Sequence, residues 1–323
     1  MRRTSTVLTG LLVAGMVVAL AGCSSSSSDA TPAPTTTVTG TLAPVDWTGD
    51  SVPTVTGGFG DKPTLTFTSA PAPGQLMRKV LVQGKGAVVK KGQLVAVDYL
   101  GQIYGGKVFD NSYDRHSAAG FQIGVQKVIP GWDNTIVGMT AGSRLLVSIP
   151  PAQGYGSTGS QDGSIKGTDT LVFVIDIVTS YSGNVGADAK STPAQSPPAG
   201  ITITGATGAS PKITIKKGTT KPTKPVTTVL ARGTGAALVN GLTVLQYEAI
   251  DWTGATAGSS WKAGAPDSAS VTKGGTGPFD ALVGLPLGSR VLLQIPATSG
   301  GGPFAVVVNI VAHVPTAKES LAG

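Results

Sequence analysis

The strongest constraint on the fold is a pattern that occurs twice along the chain. The matching segments are 55–67 with 203–215, 80–86 with 229–235, and 142–150 with 288–296. The offset between the two occurrences stays at 146–149 residues throughout. Self-similarity at a fixed spacing indicates a repeated structural unit, and 323 residues suffice for about two ordinary domains. The sequence therefore predicts two tandem copies of one domain, each with a short N-terminal extension.

Composition and periodicity predict that each copy is built mainly from strands. Only 13% of the residues are charged, and the chain has 46 Gly and 22 Pro, which favours short strands and turns over helix bundles. Apolar residues alternate from 171 to 177, the period of a strand. A short helix is predicted after Pro130, where Trp132, Ile136 and Met139 share one face. The expected fold class is α+β: two tandem domains, each an antiparallel β-sheet curled around one short α-helix.

The N-terminus resembles the signal sequence of a bacterial lipoprotein. Two arginines are followed by an apolar run at 7–20, which is too short to span a membrane. The run ends in Leu-Ala-Gly-Cys, and these residues resemble a lipobox whose cysteine is Cys23. The resemblance implies lipidation of Cys23 and a mature chain anchored on the extracytoplasmic face of the bacterial plasma membrane. The alternative is an ordinary signal peptide followed by an incidental cysteine.

Shifts in composition predict the boundaries of the segments. They are a lipoprotein signal peptide at 1–22, a disordered tether at 23–43, a first domain with its N-terminal extension at 44–182, a linker at 183–200, a second domain at 201–317 and a tail at 318–323. A basic stretch around Lys216 and at 221–225 is interpreted as a solvated extended segment, with contact to an anionic wall polymer or lipid headgroups as the alternative. The net charge is +7, but no stretch is basic and aromatic enough to predict a nucleic-acid partner.

Residues for most catalytic chemistries are missing from the sequence. One cysteine excludes an intrachain disulfide and a thiolate metal cluster, and His116 and His313 stand far apart without a supporting acidic cluster. The segment 154–159 matches the dinucleotide fingerprint, but it follows two prolines and no helix is predicted after it. No metal and no cofactor are therefore expected. An apolar, aromatic set of residues with one acid remains.

Five motifs occur in the order and spacing of a known family. They are Val-Asp-Tyr-Leu-Gly at 97–101, Gly-Lys-Val-Phe-Asp-Asn-Ser at 106–112, Val-Ile-Pro-Gly-Trp at 128–132, the segment 151–156, and Thr-Leu-Val-Phe at 170–173. Together they resemble FKBP-type peptidyl-prolyl cis-trans isomerase domains over residues 80–180. The resemblance implies that the first domain is an isomerase of this type, which acts on Xaa-Pro bonds of proline-containing polypeptides.

The resemblance also implies which residues form the site. The implied catalytic residues are Tyr99, Phe109, Asp110, Trp132, Tyr155 and Phe173, and the implied substrate-binding residues are Arg115, Val128, Ile129 and Ile165. Trp132 would lie beneath the proline ring, and Asp110, paired with Arg115, would be a buried acid near the carbonyl of the isomerising bond. The Ile129 amide and the Tyr155 hydroxyl would hold substrate carbonyls.

The second copy departs from the family pattern more strongly than the first. Aligning Trp261 with Tyr113 puts Ala257 and Gly258 opposite the phenylalanine and the aspartate of the first site. We therefore predict a degenerate FKBP-like domain with the same fold and no isomerase activity. The alternative is a different alignment, in which another acid such as Asp251 or Asp267 fills the second site.

Two functions of different classes follow from the sequence. The first is an extracytoplasmic prolyl isomerase that assists the folding of secreted proteins. The second is a non-catalytic, chaperone-like or wall-associated binding lipoprotein that has kept the fold. Asp110, Tyr155 and Trp132 are all present in the first copy, which favours the enzyme. Ala119 in place of a common aromatic residue, and the small residues at 157–163, argue against tight macrolide binding more than against isomerisation.

Overall fold

The computed structural model describes residues 43–183, 190–298 and 301–314. The lipobox cysteine Cys23, the signal peptide at 1–22 and the tail at 318–323 lie outside these ranges, as does the tether except for its last residue. Two seven-stranded sheets account for most of the regular structure. Among the described residues, no helix has the length and apolar character needed to cross a membrane.

The first half of the chain forms one of the two sheets. Its elements are β1 (Val45–Asp46), β2 (Thr54–Thr56), β3 (Thr64–Thr66), β4 (Met77–Val82), β5 (Leu94–Ile103), β6 (Val108–Asn111), β7 (Ala119–Gln122), α1 (Pro130–Ile136), β8 (Arg144–Ile149) and β9 (Leu171–Tyr181). The strand order is β1-β4-β8-β9-β5-β6, with β7 paired to β5, while β2 and β3 form a separate hairpin. Pairing is antiparallel, as predicted, except that β1 runs parallel to β4.

The second half repeats this topology. Its elements are β10 (Thr192–Pro193), β11 (Ile201–Thr204), β12 (Lys212–Ile215), β13 (Val226–Arg232), β14 (Gly241–Asp251), β15 (Thr256–Ser259), α2 (Ser260–Ala263), β16 (Asp267–Val271), β17 (Arg290–Ile295) and β18 (Phe304–Val314). The strand order is β10-β13-β17-β18-β14-β15, with β16 paired to β14, and β11 and β12 form a hairpin. The segment interpreted as a linker at 183–200 supplies β10, which pairs antiparallel with β13.

Helix α1 packs against one face of the first sheet. Pro130 occupies the first turn, where its fixed φ and missing N–H are well tolerated. The carboxylate of Asp133 accepts hydrogen bonds from the backbone N–H groups of Gly124 at 2.6 Å and Gln126 at 2.8 Å, which fixes the preceding loop. Trp132 and Ile136 are buried in the core of the first half. The predicted helix is therefore present in this half, but it ends at Ile136, so Met139 packs into the core from beyond the helix rather than from its face.

The prediction of one short α-helix around which each sheet curls is wrong for the second half. At the position of α1, the second half has a 3₁₀ turn, Asp280–Leu282. In the first half, the segment that starts at Pro130 ends at Gly138, the next glycine with positive φ. The corresponding segment of the second half, from Pro278 to Gly284, is shorter. Too few residues remain there for two helical turns. The short helix α2 lies elsewhere, directly after the edge strand β15.

The N-terminal extension of each half covers the sheet face opposite the main core. Successive residues of a strand face opposite sides of a sheet, so each sheet needs a second cover. In the first half, the extension residues Trp47 and Leu65 pack against the sheet residues Leu100, Leu146, Val172 and Val174. In the second half, Ile201 and Ile213 pack against Ile250, Leu292, Ala305 and Val307. The extensions are therefore integral parts of the two cores.

A further apolar cluster joins the two halves. It contains Leu94, Ala96, Ala118 and Val178 from the first half and Leu242, Val244 and Val314 from the second. Strand β7 also contacts β16 across this interface. The two sheets therefore share buried apolar surface along β5 and β14.

Each sheet also buries one arginine. The side chains of Arg144 and Asp176 are 1% and 0% exposed and form an ion pair at 2.6 Å. In the second half, Arg290 donates instead to the neutral Asn309 at 2.8 Å. Burial lowers the pKa of Arg290. Burial also acts to lower the pKa of Arg144, but the hydrogen bond and charge of Asp176 outweigh it and raise that pKa.

This difference predicts opposite effects of two matched substitutions. Asp176→Asn removes the counter-charge of a buried guanidinium, so we expect the free energy of unfolding to fall by about 3–5 kcal/mol. Asn309→Asp gives Arg290 a counter-charge and removes an amide nitrogen that has no partner among the described residues. We expect this variant to be as stable as the wild type or more stable. Urea unfolding followed by tryptophan fluorescence measures both, and equal destabilisation would contradict this account.

Candidate active site

Five aromatic rings from five different elements converge on one face of the first sheet. They are Tyr99 of β5, Phe109 of β6, Phe121 of β7, Trp132 of α1 and Phe173 of β9. The centroid of Trp132 lies 5.4 Å from that of Tyr99, 5.1 Å from that of Phe121 and 5.4 Å from that of Phe173. Phe109 joins the cluster through Phe173, at 5.6 Å. These contacts are edge-to-face, an arrangement that aromatic pairs favour, so the rings hold one another in place.

A glycine makes room for two of these rings. In the sheet register, Gly101 lies between Asp110 of β6 and Phe173 of β9. A Cβ atom at position 101 would come within 2.7 Å of the Phe109 ring and 2.8 Å of the Phe173 ring. Any larger residue would therefore displace the rings, and the cluster depends on glycine at this position.

The cluster has a buried base and a partly exposed rim. Tyr99, Trp132 and Phe173 are buried, whereas Phe109 and Phe121 are only partly buried. The indole N–H of Trp132 has no hydrogen-bond partner among the described residues, so packing alone holds this ring. Three further predicted site residues pack against the same core: Val128, Ile129 and Ile165. The rim therefore presents an apolar surface of the kind that suits a small apolar ring.

Three polar side chains form a closed hydrogen-bond network at the rim. The Tyr99 hydroxyl donates to Oδ2 of Asp110. The Arg115 guanidinium donates to Oδ1 of Asp110 at 2.5 Å and to the Tyr99 hydroxyl at 2.9 Å. The same guanidinium lies 5.6 Å from the centre of the Tyr99 ring. Both oxygens of Asp110 therefore have donors, and the predicted pairing of Asp110 with Arg115 is present.

The prediction that Asp110 is a buried acid is wrong. Its side chain is 41% exposed, because β6 is an edge strand of the sheet. Two hydrogen-bond donors, rather than burial, fix the position of its carboxylate beside the rings. Within the described ranges, no group of three or more His, Cys, Asp and Glu side chains is placed to hold a metal ion.

Burial and the network shift the pKa values of two of its members. Burial raises the pKa of Tyr99 above its usual range, and the hydrogen bond to Asp110 raises it further. Burial acts to lower the pKa of Arg115, but its hydrogen bond to Asp110 and neighbouring charges produce a net rise. Near neutral pH, Tyr99 is therefore an uncharged donor and Arg115 a permanent cation.

Tyr155 lies at the start of the 3₁₀ turn Gly156–Thr158 and is 44% exposed. Burial, followed by the negative charges of Asp110 and Asp162, raises the pKa of Tyr155. The following loop is held by its own hydrogen bonds. Asp162 accepts from the Ser160 hydroxyl at 2.6 Å and from the Ser164 hydroxyl at 2.8 Å, which lowers the pKa of Asp162 to about 2.

The second half keeps the frame of this site but few of its side chains. The Tyr247 N–H donates to the Ser260 hydroxyl at 2.8 Å, as the Tyr99 N–H does to the Ser112 hydroxyl at 2.9 Å. This match aligns Trp261 with Tyr113, as predicted from the sequence. The strand register identifies the counterparts of five residues of the first site. Ala249 stands at the position of Gly101, Ala257 at that of Phe109, Gly258 at that of Asp110, Ala269 at that of Phe121 and Val306 at that of Phe173. The described part of the second site therefore lacks the acid and most of the rings.

Two residues of the cluster are missing from the sequence-based prediction. Phe121 is not assigned to the site, although it lies two positions after Ala119 on the same strand and therefore on the same face. Gly101 belongs to a quoted motif, and a glycine inside a strand often marks a close approach of neighbouring groups. Both signals are present in the sequence, but neither shows which rings are the neighbours.

The tyrosine pKa shifts predict how stability depends on alkaline pH. Burial and the charge of Asp176 raise the pKa of Tyr113 as well, while unfolded tyrosines ionise at about pH 10. The contribution of Tyr99 and Tyr113 to stability is therefore complete below pH 10 and is lost as the pH rises above it.

We accordingly expect the urea midpoint of unfolding to fall above about pH 10, and Tyr113→Phe to make that fall shallower. Tyr181→Phe is the comparison variant: burial alone raises the pKa of Tyr181, whereas Asp176 also acts on Tyr113, so we expect Tyr181→Phe to change the slope less than Tyr113→Phe does. Identical slopes for the wild type and Tyr113→Phe would contradict the assignment.

Comparison with known proteins places the first half in a family. Residues 86–178 match the model of FKBP-type peptidyl-prolyl cis-trans isomerases. The chain is 38% identical over 119 residues to an FK506-binding protein of Streptomyces anulatus, a match that covers 36% of this chain and 96% of the relative. It is 36% identical over 120 residues to a probable FK506-binding protein of Corynebacterium glutamicum, covering 37% and 98%. The crystal structure of AtFKBP13 shares 36% identity with it over 33% of this chain and 94% of that chain, with a TM-score of 0.31.

The matched residues contain all five rings and the Tyr99–Asp110–Arg115 network. The chain therefore belongs to the FKBP-type peptidyl-prolyl cis-trans isomerases, an enzyme family.

Proposed function

We propose that this chain isomerises Xaa-Pro bonds of extracytoplasmic polypeptides and that catalysis takes place at the aromatic cluster of the first half. The observation that carries the proposal is the combination of a buried indole, a rim of partly exposed rings and a fixed carboxylate at their edge. The same combination is absent from the described part of the second site. The family membership supports the proposed reaction, and this geometry supports its proposed location.

The reaction needs no acid–base or nucleophilic step. Rotation about an Xaa-Pro amide crosses a barrier of roughly 20 kcal/mol, and it neither breaks a bond nor transfers a proton. The twisted amide has lost its resonance and is less dipolar than the planar amide, so an environment that excludes water favours it. Fixed hydrogen-bonding groups that need no reorganisation can then hold the substrate backbone.

Each predicted residue has a role in this proposal. Trp132 lies beneath the proline ring, Tyr99, Phe109 and Phe173 flank it, and Phe121 completes the enclosure. Val128, Ile129 and Ile165 extend the apolar contact along the substrate. The Ile129 amide and the Tyr155 hydroxyl donate to substrate carbonyls. Asp110 lies beside the carbonyl of the rotating bond, held in place by Arg115. No cofactor or metal is required.

Substitutions at the rim test this assignment in the full-length chain. Phe109→Ala removes a flanking ring, and Asp110→Val removes the carboxylate at similar volume. We expect each to lower kcat/KM for a short proline peptide by about tenfold, which corresponds to ~1.4 kcal/mol of barrier. Phe67→Ala is the matched control, because Phe67 packs against Tyr104 on the opposite face of the sheet. A protease-free isomerisation assay measures the three, and full activity in both rim variants would remove the proposed site.

We infer that the second half is a degenerate second copy of the FKBP-like domain and contributes binding rather than turnover. Ala257 and Gly258 leave it without a flanking ring and without the acid. The doubly substituted chain, Phe109→Ala with Asp110→Val, should therefore retain only a few per cent of the activity, because the second half adds none. Substantial residual activity would assign turnover to the second half.

Macrolide binding stays a prediction. Both bacterial relatives are named as FK506-binding proteins, and the present chain has the aromatic base that an apolar macrolide would contact. Ala119 removes one ring from the surroundings of that base. We therefore propose that macrolides bind, and more weakly than proteins with an aromatic residue at this position bind them.

We also propose that the chain is anchored through Cys23 to the extracytoplasmic face of the plasma membrane. The Leu-Ala-Gly-Cys motif after an apolar run supports this proposal. Cys23→Ala should abolish incorporation of labelled lipid and move the chain out of the membrane fraction, whereas Ser24→Ala should change neither. Unchanged labelling and fractionation of the Cys23→Ala variant would make the anchor proposal wrong.

A further inference from the structure

The N-terminal hairpin of the first half contacts the turn that follows Asp110. We define the hairpin as residues 54–66, which include β2 and β3, and the active-site turn as residues 111–116, which include Arg115. We propose that the hairpin, acting chiefly through Lys62, positions the active-site turn for catalysis. This inference rests on the proposed function and adds to it a positioning element that lies outside the residues matched by the family model.

A buried group docks the hairpin on the sheet. The Arg144 guanidinium donates to the backbone carbonyls of Gly57 at 2.5 Å and Asp61 at 2.7 Å. Oδ2 of its partner Asp176 accepts from the backbone N–H of Gly60 at 2.7 Å. Three backbone groups of the hairpin are therefore held by one fully buried ion pair, which gives the hairpin a fixed position on the sheet.

The same buried group holds one side of the active-site turn. The Tyr113 hydroxyl donates to Oδ2 of Asp176 at 3.0 Å and accepts from Arg144 at 3.1 Å. Tyr113 lies two residues before Arg115, in the same 3₁₀ turn. The hairpin and the turn thus share the ion pair as their anchor.

On the solvent side, the hairpin contacts the turn directly. Lys62 donates to both carboxylate oxygens of Asp114, at 2.7 and 2.8 Å. The Asn111 amide donates to the same carboxylate at 3.0 Å, and the Asp114 N–H donates back to Asn111 at 2.9 Å. The hydrogen bond from Lys62 is the main cause of the lowered pKa of Asp114. Asp114 is therefore held between the hairpin and Asn111, immediately before Arg115.

The second half shows that docking the hairpin does not require contact with the turn. Arg290 donates to the carbonyls of Gly205 at 3.0 Å and Ala209 at 2.5 Å, so its hairpin is docked in the same way. At the positions of Lys62 and Asp114, however, this half has Ser210 and Lys262. The ion pair between hairpin and turn therefore occurs in the half that contains Asp110 and Arg115. In the second half, the hairpin is docked without such an ion pair.

The expected consequence is a selective loss of turnover when the contact is broken. The rings of the cluster come from other elements, so substrate binding and KM should change little. The orientation of Arg115 and Asp110 depends on the turn, so kcat should fall. A merely structural role of Lys62 would lower stability without separating kcat from KM.

A charge reversal in the full-length chain tests the proposal. Lys62→Asp places two carboxylates together, and Asp114→Lys places two ammonium groups together; the double variant restores an opposite pair. Exposed ion pairs contribute little to stability, so all three variants should remain folded. Lys212→Asp makes the same change on an exposed lysine of the second hairpin and is the matched control.

We expect each single variant to lower kcat about three- to tenfold with KM within twofold, the double variant to recover most of kcat, and Lys212→Asp to match the wild type. Amide hydrogen exchange across residues 111–116 should be faster in the single variants and slower again in the double variant. This second readout does not depend on activity, so it tests the positioning even if the wild type proves inactive, a result that would count against the proposed function alone. Wild-type kcat together with unchanged exchange in Lys62→Asp would overturn the inference.

Discussion

Arg144 and Asp176 lie on neighbouring strands of the first sheet, β8 and β9, with their side chains almost completely buried. Burying two charges is costly unless hydrogen bonds satisfy their remaining polar atoms. Here the partners are carbonyl and amide groups of the N-terminal hairpin and the hydroxyl of Tyr113. The sheet, the hairpin and the active-site turn therefore depend on one another, because each supplies partners that the ion pair needs.

The site itself combines two environments that are only a few ångströms apart. Packed rings and a buried indole form its apolar part, and a carboxylate with two donors forms its polar edge. The two are joined by Tyr99, whose ring belongs to the cluster and whose hydroxyl belongs to the network. An isomerase needs both, since the proline ring requires an apolar surface and the substrate backbone requires fixed polar partners.

The two halves show which features preserve a fold and which create a site. Strand order, the docked hairpin and the buried arginine recur in both halves. These features satisfy backbone groups and cover both faces of a sheet. At five positions of the first site, those of Gly101, Phe109, Asp110, Phe121 and Phe173, the second half has alanine, glycine or valine, although Tyr247 keeps the position of Tyr99. The fold can therefore be retained after the site residues have been replaced.

Much of this organisation follows from the sequence alone. The duplicated pattern predicts two similar halves, the alternation at 171–177 predicts β9, and Pro130 with its apolar periodicity predicts α1. The ordered motifs indicate the family and most of the rings, because each motif is a short continuous stretch of the chain. Alignment of Trp261 with Tyr113 also predicts the missing acid of the second site.

The tertiary structure alone decided which distant residues meet. Alternation shows which face of a strand a side chain occupies, but not which strand lies beside it. For that reason the place of Phe121 in the cluster, the exposure of Asp110 on an edge strand and the contact of Lys62 with Asp114 do not follow from the sequence pattern. The lost helix of the second half has a local cause, a shorter segment after Pro278, but the shared cluster along β5 and β14 arises only when two folded sheets pack together.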